Sequence, residues 1–431
     1  MTSGLASVVG TVRRSRGVGL VFADQALISG TNFLTGILVA RALGITEFGV
    51  FSLAWMVVLV AQSIQVALII SPMMSVGPKQ PPAEAPAWYA ATFLQQLALA
   101  GVLSVAMAAV WLADALLAFG WNWIALAGPL ALCVPVIQVQ DFLRRYNFVL
   151  KRPGIVFASD CVRNGGQLVL LVVLLQAGPP NADVSLVLLA IAICALGGIG
   201  VFAVSMPPLC WGRAQFGRVA RHHARLSGWL LGSSLLQWLS GQLFIIVGGA
   251  MLGAAAVGAM KAAQNLVAVT HVFFQAADNI VPPRAARIFH RDGQAGLDRF
   301  VRILLLAGGA VTALVCLTLA VPAQWWLRLL FGPEYADYGW LVAAFAVSYL
   351  LWALSMPLRY AFVTIENTRP IFSGYVLTSL FTVVGCYPMI DWLGLQGAMA
   401  GIIATQAIML ARLTVAYRCR GDSRPSMRAP V

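Results

Sequence analysis

Windows of about 20 apolar residues, each cut by glycine, proline or charge, recur along the whole chain. They lie at 18–40, 47–73, 88–112, 122–142, 155–176, 185–207, 229–250, 257–281, 303–324, 339–358, 371–390 and 396–416. Twenty helical residues rise about 30 Å, the thickness of the hydrocarbon core of a bilayer. The pattern therefore predicts an all-α, polytopic membrane protein with twelve transmembrane helices. Composition agrees. Of 431 residues, 60% are hydrophobic and 10% are charged, where a soluble domain carries about 25% charge.

Net charge is +13. In a soluble chain that balance would suggest nucleic acid, but the placement of the charges argues otherwise. With the N-terminus inside, 24 of the 28 Lys and Arg residues fall on the inner side of the twelve windows. They include Arg13, Arg14 and Arg16, then Arg144 and Arg145, Arg213 to Arg225, Arg284 to Arg302, and Arg412 to Arg428. Arg41 and Arg328 lie outside, and Arg163 and Lys261 lie within windows. This alternation predicts a multi-pass protein with both termini cytoplasmic. Anionic membrane lipid is the expected partner of the basic surface, and no nucleic-acid partner is implied. The three arginines before the first window resemble a signal peptide, but a run of about 23 apolar residues exceeds a signal core. It reads as an uncleaved first span. Seven cysteines are scattered with no CxxC pair, so neither a zinc site nor a disulfide framework is indicated.

The chain repeats itself. The phrase LG-x4-G occurs as Leu43-Gly44…Gly49, within RALGITEFGVF, and as Leu252-Gly253…Gly258, at an offset of 209. Each copy lies between the first and second windows of a set of six. A second echo pairs DFLRRYNFVLKRP at 141–153 with PLRYAFVTIENTRP at 357–370. An even number of spans per half makes the two copies parallel. The expected organisation is two six-helix lobes, 1–212 and 213–431. Gly44 can supply the left-handed residue that ends a helix, so RALGITEFGVF reads as a hairpin that opens a lobe rather than as a charged site.

Motifs for catalysis are missing. Only three lysines occur, none in a phosphate-binding loop pattern, and neither HExxH nor GxSxG is present. The chain is not expected to be an enzyme, and no cofactor or metal is implied. The chemistry lies in polar residues inside apolar windows, which are costly there and line a cavity or pair with one another. Lys261, Gln264, His271, Gln275 and Asp278 follow steps of 3, 7, 4 and 3. On an unbroken α-helix they share an arc of about 100° and cover about 26 Å. In the first window Asp24, Thr31 and Thr35 share a face, with Gln25 and Asn32 beside it. At the repeat offset Asp24, Gln25 and Thr31 give way to Ser233, Ser234 and Ser240. Asp160 and Arg163 stand one turn apart at i, i+3. They either pair with each other, or Asp160 holds Arg163 toward an anionic substrate. Lys261 either snorkels to the interface or faces a cavity. Helix–helix hydrogen bonding is the plain alternative for the scattered Ser and Thr.

RALGITEFGVF after a first span, the short FGPEYADY at 331–338 after the ninth, and the 6+6 duplication together resemble the bacterial polysaccharide flippases of the MOP superfamily. That superfamily also holds the drug/sodium antiporters and the lipid II flippase. The resemblance implies a MATE-like 6+6 parallel repeat and residence in the bacterial inner membrane. It implies export of lipid-linked oligosaccharide: undecaprenyl-diphosphate carrying an O-antigen or exopolysaccharide unit is turned from the cytoplasmic to the periplasmic leaflet by alternating access. A polysaccharide polymerase and other assembly proteins would be further partners. Arg163 and Lys261, as cations within spans, are the natural candidates for the diphosphate. Gln264, His271, Gln275, Asp24 and Asn32 are the other cavity candidates. Asp24, Asp160, Asp278 and His271 are candidates for ion coupling. The alternative within the superfamily is a cation-coupled drug exporter of the MATE type.

Overall fold

The computed structural model describes residues 2–117, 126–176, 183–207 and 213–419. The basic residues Arg420, Arg424 and Arg428 of the C-terminal end lie outside the described residues, as do the side chains of Arg13, Arg14 and Arg16. Among the described residues the secondary structure is helical throughout. The helices are α1 (Thr2–Gln65), α2 (Ser71–Val76), α3 (Ala85–Leu117), α4 (Ala127–Val149), α5 (Pro153–Asp160), α6 (Gly166–Gln176) and α7 (Val184–Val201). They continue as α8 (Arg213–Leu252), α9 (Ala254–Val267), α10 (His271–Ala320), α11 (Ala323–Leu330), α12 (Gly339–Thr364) and α13 (Arg369–Arg418).

Among the described residues eight helices are long and apolar enough to cross a membrane, but one of these runs 61 residues, one 50 and one 48. At 1.5 Å per residue each would extend about 70–90 Å, far beyond one bilayer core. Each is broken by a glycine at positive φ: Gly44 in α1, Gly293 in α10 and Gly394 in α13. At the last of these the chain folds back sharply, since a Cβ on Gly397 would lie 1.8 Å from the carbonyl oxygen of Met389. Cutting at the three glycines gives eleven spans, and α4, which is less apolar, supplies the twelfth. The expected all-α, twelve-helix architecture is met.

Gly44 has φ 82°, ψ 174° and Gly253 has φ 88°, ψ 169°. The two positions paired by the sequence repeat thus share one backbone conformation. Its φ is left-handed as expected, but ψ near 170° places it in the mirror-extended region, which is essentially restricted to glycine. It is not the αL geometry of an ordinary helix C-cap.

The spans divide into two compact units, Met1–Leu235 and Leu236–Val431. In the first, α3 packs on α4, α4 on α7, and α1 on α5 and α6. One of its cores joins Ile70, Met73, Trp88, Tyr89, Phe142 and Phe202. In the second, α12 packs against α10 and α13, around Leu297, Leu358, Phe362, Met409 and Leu413. Large apolar side chains such as Val204, Val321 and Trp392 stay more than four-fifths exposed. That surface suits hydrocarbon rather than water. Helix α11 is short and amphipathic: Ala323 and Leu327 are buried while Trp325 is exposed. The FGPEYADY segment docks through Phe331 and Tyr335, whose ring centroids are 5.7 Å apart. Both are fully buried, so this motif packs rather than presenting chemistry.

Candidate functional site

In the first unit the fourth span differs from its expected window of 122–142. The helix runs to Val149, because the charge that closes the window in sequence is neutralised inside the protein. Arg144 is not a loop residue. Its side chain is only 16% exposed, and its guanidinium bridges two carboxylates, Asp24 on α1 and Asp160 on α5. The Nε donates to Asp160 Oδ2 at 2.6 Å, and a terminal nitrogen donates to Asp24 Oδ2. Asp24 and Asp160 are buried, 2% and 1% exposed. The other carboxylate oxygen of Asp160 accepts from Gln140 Nε2 at 3.1 Å, and Gln140 Oε1 accepts from Arg163. Three spans are thereby joined by one polar network.

Asp160 and Arg163 therefore do not pair with each other. A five-residue π-helical turn, Cys161–Gly165, begins directly after Asp160. A widened turn changes the angular offset between successive residues, so these two meet different partners. Of the first-span stripe, Thr31 and Thr35 are buried with Asp24, and Thr35 Oγ1 accepts from Gln167 on α6 at 2.8 Å. Gln25 donates to Ser29 at 3.4 Å, and Asn32 is exposed, apart from the network.

In the second unit the polar stripe is not carried by one unbroken α-helix. A 3-10 turn, Ala268–Thr270, separates α9 from α10. At three residues per turn such a segment rotates the downstream helix by about 60° relative to a continuous α-helix. The stripe is accordingly partnered piecemeal. Lys261 Nζ donates to Gln264 Oε1 at 2.8 Å and to Gln242 Oε1 on α8 at 3.5 Å. His271 Nε2 is 3.1 Å from the hydroxyl of Tyr349 on α12, and its ring packs among Phe274, Tyr349 and Trp352. Tyr360, also on α12, donates to Asp278 Oδ1 at 2.6 Å. Lys261, Gln264, His271 and Gln275 are half-buried, while Asp278 is exposed. A cavity of about 260 Å³ lies beside this stretch, lined by Phe273, Phe274, Val281, Met356, Pro357 and Tyr360. It is apolar and takes none of the stripe residues except through Tyr360, the partner of Asp278.

The residues missed from sequence are Arg144 and Gln140, together with Tyr349, Trp352 and Tyr360. The signal for the first two was present. Gln140, Arg144 and Asn147 follow the i, i+4, i+7 spacing of one helix face, but the window ended before that face did. Among the described residues no three His, Cys, Asp or Glu side chains converge in a manner that could hold a metal ion.

No family model and no curated protein sequence matches the chain. Solved structures do. A lipid II flippase MurJ in an inward closed conformation aligns with TM-score 0.66 at 11% identity, over 92% of this chain and 87% of that one. An inward-facing multidrug resistance MATE transporter of the MOP superfamily aligns with TM-score 0.64 at 16% identity, over 94% and 96%. A MOP superfamily transporter from Pyrococcus furiosus gives TM-score 0.64 at 13% identity, over 94% of each chain. The chain is thus a multi-pass α-helical membrane protein. Its fold is the twelve-helix fold of the MOP superfamily transporters.

Proposed function

We propose that the chain is a transporter that turns undecaprenyl-diphosphate-linked oligosaccharide units from the cytoplasmic to the periplasmic leaflet of the bacterial inner membrane, for polysaccharide assembly. The observation that carries this reading is the fold it shares with a lipid II flippase along nearly the full chain. RALGITEFGVF and FGPEYADY support the same branch. Arg163 and Lys261 are cations within spans whose hydrogen bonds go to neutral glutamines. Neither is spent on an ion pair among the described residues, so both keep positive charge for a diphosphate. Alternating access is the mechanism this fold suggests, with coupling through Asp24, Asp160, Asp278 or His271. The reading includes both termini in the cytoplasm, supported by the arginine alternation.

The test is export in cells. Introduced into a strain lacking its own oligosaccharide flippase, the chain restores surface polymer, and Arg163→Ala or Lys261→Ala lowers it at unchanged protein level. Wild-type export in both variants would remove these residues from the site. The equally good alignment to a MATE transporter favours drug export as the second reading. Expression that confers resistance to cationic dyes without restoring polymer would select it.

A further inference from the structure

Two carboxylates converging from different spans create a strong demand for positive charge, because burying an uncompensated carboxylate in a low dielectric is costly. Oxygen-rich pairs of this kind are suited to a hard cation. In the first unit Asp24 and Asp160 form such a pair, with Gln140 and Ser159 close by. The position between them is taken by the guanidinium of Arg144, which contacts both.

We propose that Arg144 is a tethered counter-ion. It occupies the place of a monovalent metal cation between Asp24 and Asp160 and sets the ion selectivity of the first unit against sodium. A free cation can leave with the cargo or exchange with water, but a guanidinium fixed to α4 cannot. Its grip is reinforced by stacking on Phe148, 5.1 Å from the ring centroid. The charged and ionisable groups around the pair do not replace it. Arg163 is held off by Gln140, Asp141 is paired with Arg145 at 2.9 Å, and Cys161 carries no charge as a thiol. One oxygen marks unused capacity: Asp24 Oδ1 is buried and has no hydrogen-bond partner among the described residues. Removing Arg144 would therefore expose a site with two carboxylates and at least one free ligand oxygen.

The inference does not rest on the nature of the cargo, and its test needs none. The purified full-length protein is melted in detergent with sodium chloride or choline chloride at equal ionic strength. Wild type melts at the same temperature in both salts. In Arg144→Met, or in Arg144→Gln, which keeps some polar contact, sodium raises the melting temperature over choline by about 2–4 °C. Adding Asp24→Asn to either variant abolishes that rise, which separates a site from a general salt effect. Variants that melt identically in both salts overturn the proposal. So does a wild-type protein already stabilised by sodium in a manner lost with Asp24→Asn, and this arm decides even where the Arg144 variants are not recovered. Failure of the wild-type chain to restore polymer export would refute the flippase reading and leave this result untouched.

Discussion

Replacing Gly253 with alanine tests the repeat at the level of the backbone. The residue sits at φ 88°, ψ 169°, and a Cβ built there meets nothing within 4 Å. Packing therefore contributes no penalty, and the whole cost is backbone strain. For a residue with a Cβ in this mirror-extended region that is about 1–3 kcal/mol. Gly44, with φ 82° and ψ 174°, predicts a cost of the same size for Gly44→Ala. Gly30 is the control: it is helical, and a Cβ there also meets nothing within 4 Å. Gly30→Ala gains about 0.5–1 kcal/mol from helix propensity. Asparagine tolerates αL but not this region, so Gly253→Asn is no better than Gly253→Ala. The assay is thermal melting of the purified protein in detergent, followed by tryptophan fluorescence. The ordering expected is Gly30→Ala at or above wild type, with both hairpin variants well below. If Gly253→Ala melts with Gly30→Ala, or if asparagine rescues, the assigned conformation is wrong.

The packing and the polar network support three further expectations. Gly401→Ala places a Cβ 2.0 Å from Phe244 Cε1, so it destabilises by about 1–3 kcal/mol, and Phe244→Leu in the same chain recovers part of the lost melting temperature. Gln140→Leu removes the amide that joins Asp160 to Arg163. Buried charged groups then lose partners, lowering stability by about 1–3 kcal/mol, whereas Gln25→Leu, at a half-buried pair with Ser29, leaves the melting temperature within a degree or so of wild type, about 0.5 kcal/mol or less. His223, 4% exposed against Trp88 and ahead of the membrane span of α8, is pushed down to about 4 by burial and then by His222. Unfolding lets it take up a proton below its ordinary value near 6.5. Stability is therefore complete above that value and is lost as pH falls toward 4. His223→Phe flattens this part of the melting-versus-pH profile, and an unchanged slope would contradict the burial argument.

The sequence by itself determined the helical class, the number of spans and the internal repeat. Those depend on local quantities: runs of apolar residues as long as the bilayer is thick, and glycines where the chain must reverse. The pairing of Gly44 with Gly253 was readable because only glycine takes that φ, ψ. The polar stripe beginning at Lys261 was readable as a periodicity, since a helix face is a local property. Partnership was not local. Arg144 lies 120 residues from Asp24 and 16 from Asp160, and nothing in the spacing of α4 says which carboxylates will stand opposite it. Desolvation then decides, because a buried guanidinium must find acids, and the fold brings α1, α4 and α5 to where it does. The same tertiary choice took Asp160 away from Arg163, its neighbour one turn along, through a π-helical turn that no periodicity announced. It gave His271 and Asp278 the hydroxyls of α12. Sequence placed the polar groups inside the apolar windows; the packing of the spans decided which charges met an opposite charge and which met only neutral amides.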